Sequence, residues 1–234
     1  MKNTERRTSP AEGPAQDPPS PAGGREPPGD KAAAVLAGAR TVFLSHGFSA
    51  ATTDMIQRAA GVSKATVYAH YATKEALFIA VVDAECERFI AGIRALRFQS
   101  ARLDDVLLAL ARAYLEIVLS PAGLDLFRVV VADAPRFPEL ARKFYLAGPH
   151  TLVEIVAAHL DEAAQRGETE FGAVGREVAA SLFVNLVRGE LQLQCLTHPG
   201  SVPSAAQRDL WARAAVTTFV RAYGCANPRI PRAS

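Results

Sequence analysis

The stretch that decides the fold is Thr52–Tyr71, TTDMIQRAAGVSKATVYAHY. It predicts two short helices hinged at Gly61, the layout of a helix-turn-helix that lays its second helix in the major groove of DNA. Thr52 or Thr53 can cap the first helix, because a hydroxyl accepts from a first-turn amide that has no partner inside the helix. Asp54 then sits at the positive end of the helix dipole. Ile56, Ala59 and Ala60 give the helix an apolar side at three- and four-residue spacing. Gly61 suits the left-handed conformation that ends a helix. Val62 is an apolar plug between the two helices. Ser63 can cap the second, which runs from about Lys64 to Tyr71. Val67 and Tyr71 lie four apart and face the core together.

That arrangement leaves Lys64, Ala65, Thr66, Tyr68, Ala69 and His70 outside or at the edge. Lys64, at the helix start, can reach a phosphate or a guanine edge. Thr66 can donate to a phosphate or touch a thymine methyl, and Tyr68 offers a phenol to the backbone. Ala65 and Ala69 are small enough to let the helix sit deep, with methyl groups that can meet thymine. Packing readings stand beside these: a helical hairpin with a solvated face, His70 packed against Tyr71, Tyr68 as plain packing, and Lys74 as a charge near the start of a next helix capped by Thr73.

Charge separates the readings. Residues 31–74 carry Lys31, Arg40, Arg58, Lys64 and Lys74 against Asp54 alone, a net +4, while residues 1–30 and 75–234 each sum to −1. The positive excess is therefore concentrated in the segment that holds the hinge, as a DNA contact requires. One copy carries a modest charge, so two copies acting together are expected.

The run VLAGARTVFLSHGFSAATTDMIQRAAGVSKATVYAHYATKEALF, Val35–Phe78, closely resembles the N-terminal domain of the TetR (tetracycline repressor) family. The features that carry the resemblance are Phe43, His46-Gly47-Phe48, Thr53, Ile56, Ala59-Ala60-Gly61-Val62-Ser63, Thr66, Tyr68, Tyr71 and Lys74-Glu75-Ala76-Leu77-Phe78. It implies a three-helix DNA-binding head with helices near 32–47, 53–60 and 64–71. Together with the local reading, it gives a DNA-facing set of Thr52, Thr53, Ser63, Lys64, Ala65, Thr66, Tyr68, Ala69, His70 and Lys74. Ala65 stands where many relatives have glycine, and Ala69 where many have a larger polar residue. Fewer donors therefore reach base edges, and the operator sequence is not readable from the helix.

Residues 1–30 contain seven prolines, four glycines and no aromatic residue. Such a segment cannot bury enough apolar surface to offset its ordering entropy, so a disordered tail is expected. No apolar core follows its charges, which argues against a signal peptide. Residues 75–226 read as all helix, with a flexible end at 227–234. Helices are expected from Thr73 to about Phe98, then over 103–119, 122–132, 139–146, 150–166, 174–196 and 205–223, separated by turn signals such as Pro121, Pro135, Gly167 and His198-Pro199-Gly200. The fold class is all-α: a helix-turn-helix head at 31–74 and a helical body.

The segment VVVADAPRFPELARKFY, Val129–Tyr145, and the helix bearing LVRGELQLQ are similar to the C-terminal domain of an AefR-like branch of the same family. This resemblance implies a ligand-receiving body and a homodimer built from the last two long helices. Two stripes fit that use: Trp211, Ala215, Thr218-Phe219 and Ala222-Tyr223 on one helix, and Val178, Leu182, Leu186 and Gly189 on the other. The alternative buries both stripes within one chain. Aromatic residues spread over the body can line an apolar pocket. The expected ligand-binding set is Phe89, Tyr114, Phe127, Arg128, Phe144 and Phe183, with Asn185 and Arg188 as further polar groups in apolar helices.

Other chemistries lack their residues. Cys86, Cys195 and Cys225 have no paired spacing, and His150 and His159 are not at ligand spacing, so no metal or other cofactor is expected. An odd cysteine count without a secretory signal suits a reduced cytoplasm. No run of 18 apolar residues is present, so no membrane span is expected. There is no phosphate loop or nucleophile elbow to suggest an enzyme. The sequence thus predicts a dimeric, ligand-responsive repressor of a palindromic operator in double-stranded DNA. The rival is a helical protein-interaction scaffold that does not bind DNA.

Overall fold

The computed structural model describes residues 28–98 and 102–225. Most of the expected Pro/Gly-rich tail and the expected flexible end at 227–234 lie outside these residues. Among the described residues ten α-helices follow one another: α1 (Pro28–Ala50), α2 (Thr53–Ala60), α3 (Lys64–His70), α4 (Lys74–Arg94), α5 (Leu103–Val118), α6 (Pro121–Asp133), α7 (Pro138–Tyr145), α8 (Thr151–Gln165), α9 (Arg176–Thr197) and α10 (Ala205–Tyr223). A π-helical turn, Leu146–His150, joins α7 to α8, and a 3₁₀ turn, Gly172–Val174, precedes α9. Among the described residues the β-type pairing is limited to one isolated antiparallel bridge, Thr169 to Gly224.

The ends of these helices follow from local chemistry. The Thr52 hydroxyl accepts from the Met55 amide at 3.2 Å and starts α2. Gly61 takes φ 65° and ψ 29°, the left-handed conformation anticipated for the hinge, and its amide and that of Val62 bond back to Arg58 and Gln57. Ser63 caps α3 through Thr66 N at 3.1 Å, and Thr73 caps α4 through Ala76 N at 3.0 Å. Ser204 and Gln207 form a reciprocal capping box at the start of α10. The first helix starts earlier than expected, at Pro28, and its regular geometry breaks at Gly47.

Two apolar cores run through the molecule. The first joins Phe43 and Phe48 of α1 to Phe78 of α4, with ring centroids 5.0–5.1 Å apart. It also contains Leu126, Val129 and Val130 of α6 and Leu140 of α7, while Phe137 stands 4.5 Å from Phe48. The packing is thus continuous across the boundary expected at 74. The second core gathers α5, α8, α9 and α10 around Leu107, Leu110, Leu160, Phe183 and Phe219.

Candidate nucleic-acid interface and body cavity

Helix α3 is seven residues long and is pinned by one side chain. Val67 is buried and Tyr71 half-buried, while Lys64, Ala65, Tyr68, Ala69 and His70 are exposed. The outward face is ordered by short polar contacts. Tyr68, 47% exposed, has its hydroxyl 3.2 Å from the Thr53 hydroxyl of α2. The Ser63 and Thr66 hydroxyls lie 2.8 Å apart. Lys64 Nζ pairs with Asp54 Oδ1 at 3.1 Å, both side chains being more than half exposed. An exposed pair of this kind contributes about 0–1 kcal/mol, so an arriving phosphate can displace it readily. His70 is solvent-exposed, not packed as a half-buried ring.

Lys74 is placed differently from the other members of the expected set. Its ammonium donates to the carbonyls of Phe48 at 3.0 Å and Ala51 at 2.9 Å, and it lies 4.3 Å above the Phe48 ring. It therefore ties the α1–α2 corner to the start of α4, close to its alternative reading as a structural charge. Because two backbone acceptors already hold it, it is not a freely reaching cation.

Behind the head, α4 carries a buried carboxylate that no local pattern singles out. Glu85 is 3% exposed and sits between two arginines. Arg40 of α1 grips it with Nε at 2.7 Å and Nη2 at 3.2 Å, and Arg88 holds the second oxygen. This pair links α1 to α4 one residue before Cys86, whose thiol faces the body.

A cavity of about 70 Å³ lies between the two cores. Its wall takes Cys86, Phe89, Ile90 and Ile93 from α4, Tyr114 and Ile117 from α5, Phe127 from α6 and Phe144 from α7. Gly148 and Pro149 come from the π-turn, and Arg188 and Gln192 from α9. Four of the six expected residues line it: Phe89, Tyr114, Phe127 and Phe144. The other two do not. Phe183 packs on Phe219, centroids 5.2 Å apart, inside the second core. Arg128 turns to Asp125 and to the Cys195 carbonyl, each at 3.0 Å. Asn185 lies outside the wall, whereas Arg188 is part of it.

Gln192 was missed, although Arg188 and Gln192 are one turn apart on a helix whose other face is apolar. That spacing is equally common on a solvated face. Burial pushes the Tyr114 phenol up, an effect partly offset by the positive charge of the nearby Arg188. Burial also drives the Cys86 thiol up to about 12, so it is a protonated, unreactive wall group at neutral pH.

The exposed apolar residues mark a third surface. Val178, Leu182, Leu186 and Leu193 of α9 are between 38% and 57% exposed, and Leu210 of α10 is 69% exposed. The α10 stripe expected to meet a partner divides otherwise. Ala215 and Phe219 are buried in the chain's own core, and Trp211 donates to the Val187 carbonyl at 2.9 Å.

Comparison with known proteins agrees with this geometry. Residues 35–81 match the family described as bacterial regulatory proteins, tetR family. Residues 105–225, just over half the chain, match the AefR-like transcriptional repressor C-terminal domain. The transcriptional regulator UidR of Escherichia coli is 26% identical over 162 residues, spanning 67% of this chain and 78% of that protein. Among solved structures, a TetR-family regulator from Mesorhizobium loti superposes with TM-score 0.76 at 25% identity, covering 86% of this chain and all of the other. The flavonoid-responsive regulator FrrA is 35% identical, covers 88% of this chain and all of its own, and superposes with TM-score 0.68. The chain belongs to the TetR family of bacterial transcriptional regulators, with a helix-turn-helix head and an AefR-like C-terminal domain.

Proposed function

We propose that this regulator is a dimeric repressor that leaves its operator when a small, largely apolar molecule enters the body cavity. The observation that carries the reading is the exposed face of α3. Lys64, Thr66 and Tyr68 stand in pre-ordered positions around Ala65 and Ala69, on the most positive segment of the chain. Phosphate contacts would fall to Lys64, Tyr68, Thr53 and the Ser63–Thr66 cap, and base contacts to the first turn of α3. Thr52 is spent on its own helix cap, and His70 lies at the far end of the helix. Lys74 acts through the corner that it holds.

Dimerisation supplies the second head. The exposed row Val178, Leu182, Leu186 and Leu193, with Leu210 beside it, suits a four-helix bundle across a twofold axis. The face of α10 that would meet the partner is the one bearing Leu210, rather than the Ala215–Phe219 stripe. Two heads must reach half-sites roughly 34–36 Å apart along one DNA face.

Coupling runs through α4. Cys86, Phe89, Ile90 and Ile93 line the cavity, while Leu77 and Phe78 of the same helix belong to the head core. Small-molecule sites commonly measure roughly 300–1,000 Å³, so a ligand must widen a cavity of about 70 Å³. Widening displaces α4, the π-turn or both. A ligand that prefers the widened state lowers DNA affinity by its differential binding to the two states. The responsiveness to flavonoids stated for FrrA, at 35% identity, supports an aromatic effector here.

The test is a gel shift with the DNA upstream of the gene, comparing the unaltered protein with the Lys64→Ala/Tyr68→Ala double variant. The repressor reading expects salt-sensitive binding that the double variant loses while keeping its fold and dimer. An unaltered protein that binds no DNA at tens of micromolar contradicts it and favours the scaffold.

A further inference from the structure

Three polar side chains stand on an otherwise apolar cavity wall, Tyr114, Arg188 and Gln192; Arg188 lies near Tyr114 and one turn from Gln192 on α9, and together they make its polar end. Each has an unusual electrostatic situation. Gln192 is 6% exposed, and its amide has no side-chain hydrogen bond among the described residues. Its amide is therefore unpartnered but not sealed off, so a molecule in the cavity can reach it. The Arg188 guanidinium donates to the neutral Asn185 Oδ1 at 3.0 Å and lies close enough to the Tyr114 phenol to act on its charge. It has no acidic partner among the described residues. No aspartate or glutamate lines the cavity. The nearest buried carboxylate, Glu85, already has its oxygens engaged by Arg40 and Arg88.

The polar end is therefore rich in donors and positive. The arginine needs an anion or a strong acceptor. The Tyr114 phenol keeps its proton to donate, and Gln192 can add one more N–H. A cation placed there would meet the guanidinium with nothing to neutralise it. The rest of the wall, Phe89, Phe127, Phe144 and Ile90 among others, suits a flat apolar body.

Given the effector-cavity reading above, on which this inference rests, we propose that the effector is an aromatic molecule carrying an acidic or strongly accepting oxygen. That oxygen, a phenol, enolised carbonyl or carboxylate, docks against Arg188, Tyr114 and Gln192. The site discriminates against cationic aromatics of the same size.

A matched probe series tests this on the full-length protein: 2-naphthoate, 2-naphthol, naphthalene and 2-naphthylmethylammonium share one ring system and differ in the head group. Their own fluorescence anisotropy reports binding. The expected order is naphthoate and naphthol about tenfold or more tighter than naphthalene, with the ammonium weakest; one charge-assisted hydrogen bond is enough for such a step. The near-isosteric variants Tyr114→Phe, Arg188→Met and Gln192→Leu, checked for an unchanged melting transition, are expected to keep naphthalene binding and lose most of the preference for oxygen. If a variant does not fold, the order on the unaltered protein still decides. Equal affinity for all four probes, or tightest binding of the ammonium, overturns the oxygen-recognition inference and leaves the effector cavity standing. No binding of any probe at millimolar concentration overturns both.

Discussion

Helices α3 and α9 both leave a face uncovered in the single chain, and the two faces have opposite chemistry. On α3 the exposed side chains are Lys64, Tyr68 and His70, spaced by two alanines; Tyr68 is tied to Thr53 by a hydroxyl contact and Lys64 to Asp54 by an ion pair. On α9 they include the row Val178, Leu182, Leu186 and Leu193, in which Asn185 is an exposed polar interruption. A hydrated, positively framed face suits a highly charged surface whose counterions are released on contact. A row of half-exposed leucines suits a partner that removes it from water. Exposure alone thus carries no functional meaning until the chemistry of the exposed atoms is read.

The largest effect is expected on the α9 face. Leu182→Arg, at the middle of the row, is expected to convert dimer to monomer with a loss of at least about 100-fold in self-association, because a charge would be buried across the interface without a partner. Sedimentation velocity reads this directly. A dimer unaffected by the change would move the interface elsewhere.

The α3 face is expected to respond differently. Lys64→Ala/Tyr68→Ala removes two surface side chains, so stability should change by no more than about 0.5 kcal/mol, while DNA affinity falls about 10- to 100-fold. Lys64→Ala alone should lower the salt slope of binding by about one phosphate contact. Loss of the dimer in these variants would mean that the two faces are not independent.

Between the two faces lies the packing that holds α3 in place. A Cβ built on Gly38 of α1 would stand 2.6 Å from the backbone nitrogen of Ala60. Gly38→Ala is expected to cost about 1–3 kcal/mol by forcing α1 and α2 apart, measured by chemical denaturation. Gly61→Ala, in open space but at φ 65°, is expected to cost about 1 kcal/mol through backbone strain alone.

The smallest effect is electrostatic. Arg213 and Arg112 hold the Asp209 carboxyl of α10 below its ordinary value of 3.8. A depressed folded value gives stability that is present above the unfolded value and lost as pH falls through the folded one. Asp209→Asn should therefore lower stability slightly above about pH 4, where the carboxylate pairs with the two arginines, and converge with the unaltered protein at lower pH, so that the shallow acid limb flattens in thermal melts across pH.

The head was legible in the sequence because its rules are local. Thr52, Gly61, Ser63 and Thr73 act within three or four residues of themselves, and each occupies the role that its chemistry suggests. The body helices were legible for the same reason, through Pro121, Gly167 and the turn after Thr197. The cavity was half legible. Phe89 and Phe127 line it, whereas Phe183, no different in type, fills a core. Which aromatic faces a void depends on contacts between helices some hundred residues apart. The Arg40–Glu85 pair, 45 residues apart, and the Lys74 corner are hidden from sequence for the same reason. The π-turn at Leu146–His150 has Pro149 inside it, and its local sequence announced only an interruption.

The most direct test of the account tethers an iron chelate to the α3 face. Ala69→Cys, in a Cys225→Ser background that leaves only the buried Cys86 and Cys195, carries the chelate onto upstream DNA, where it cleaves the nearest backbone. The account predicts two cleavage clusters per bound dimer on one face of the duplex, roughly 34–36 Å or a multiple of that apart, and none from a chelate placed at Val174→Cys on the body. Cleavage equal from both positions, or from neither while DNA is bound, would contradict the placement of α3 in the groove.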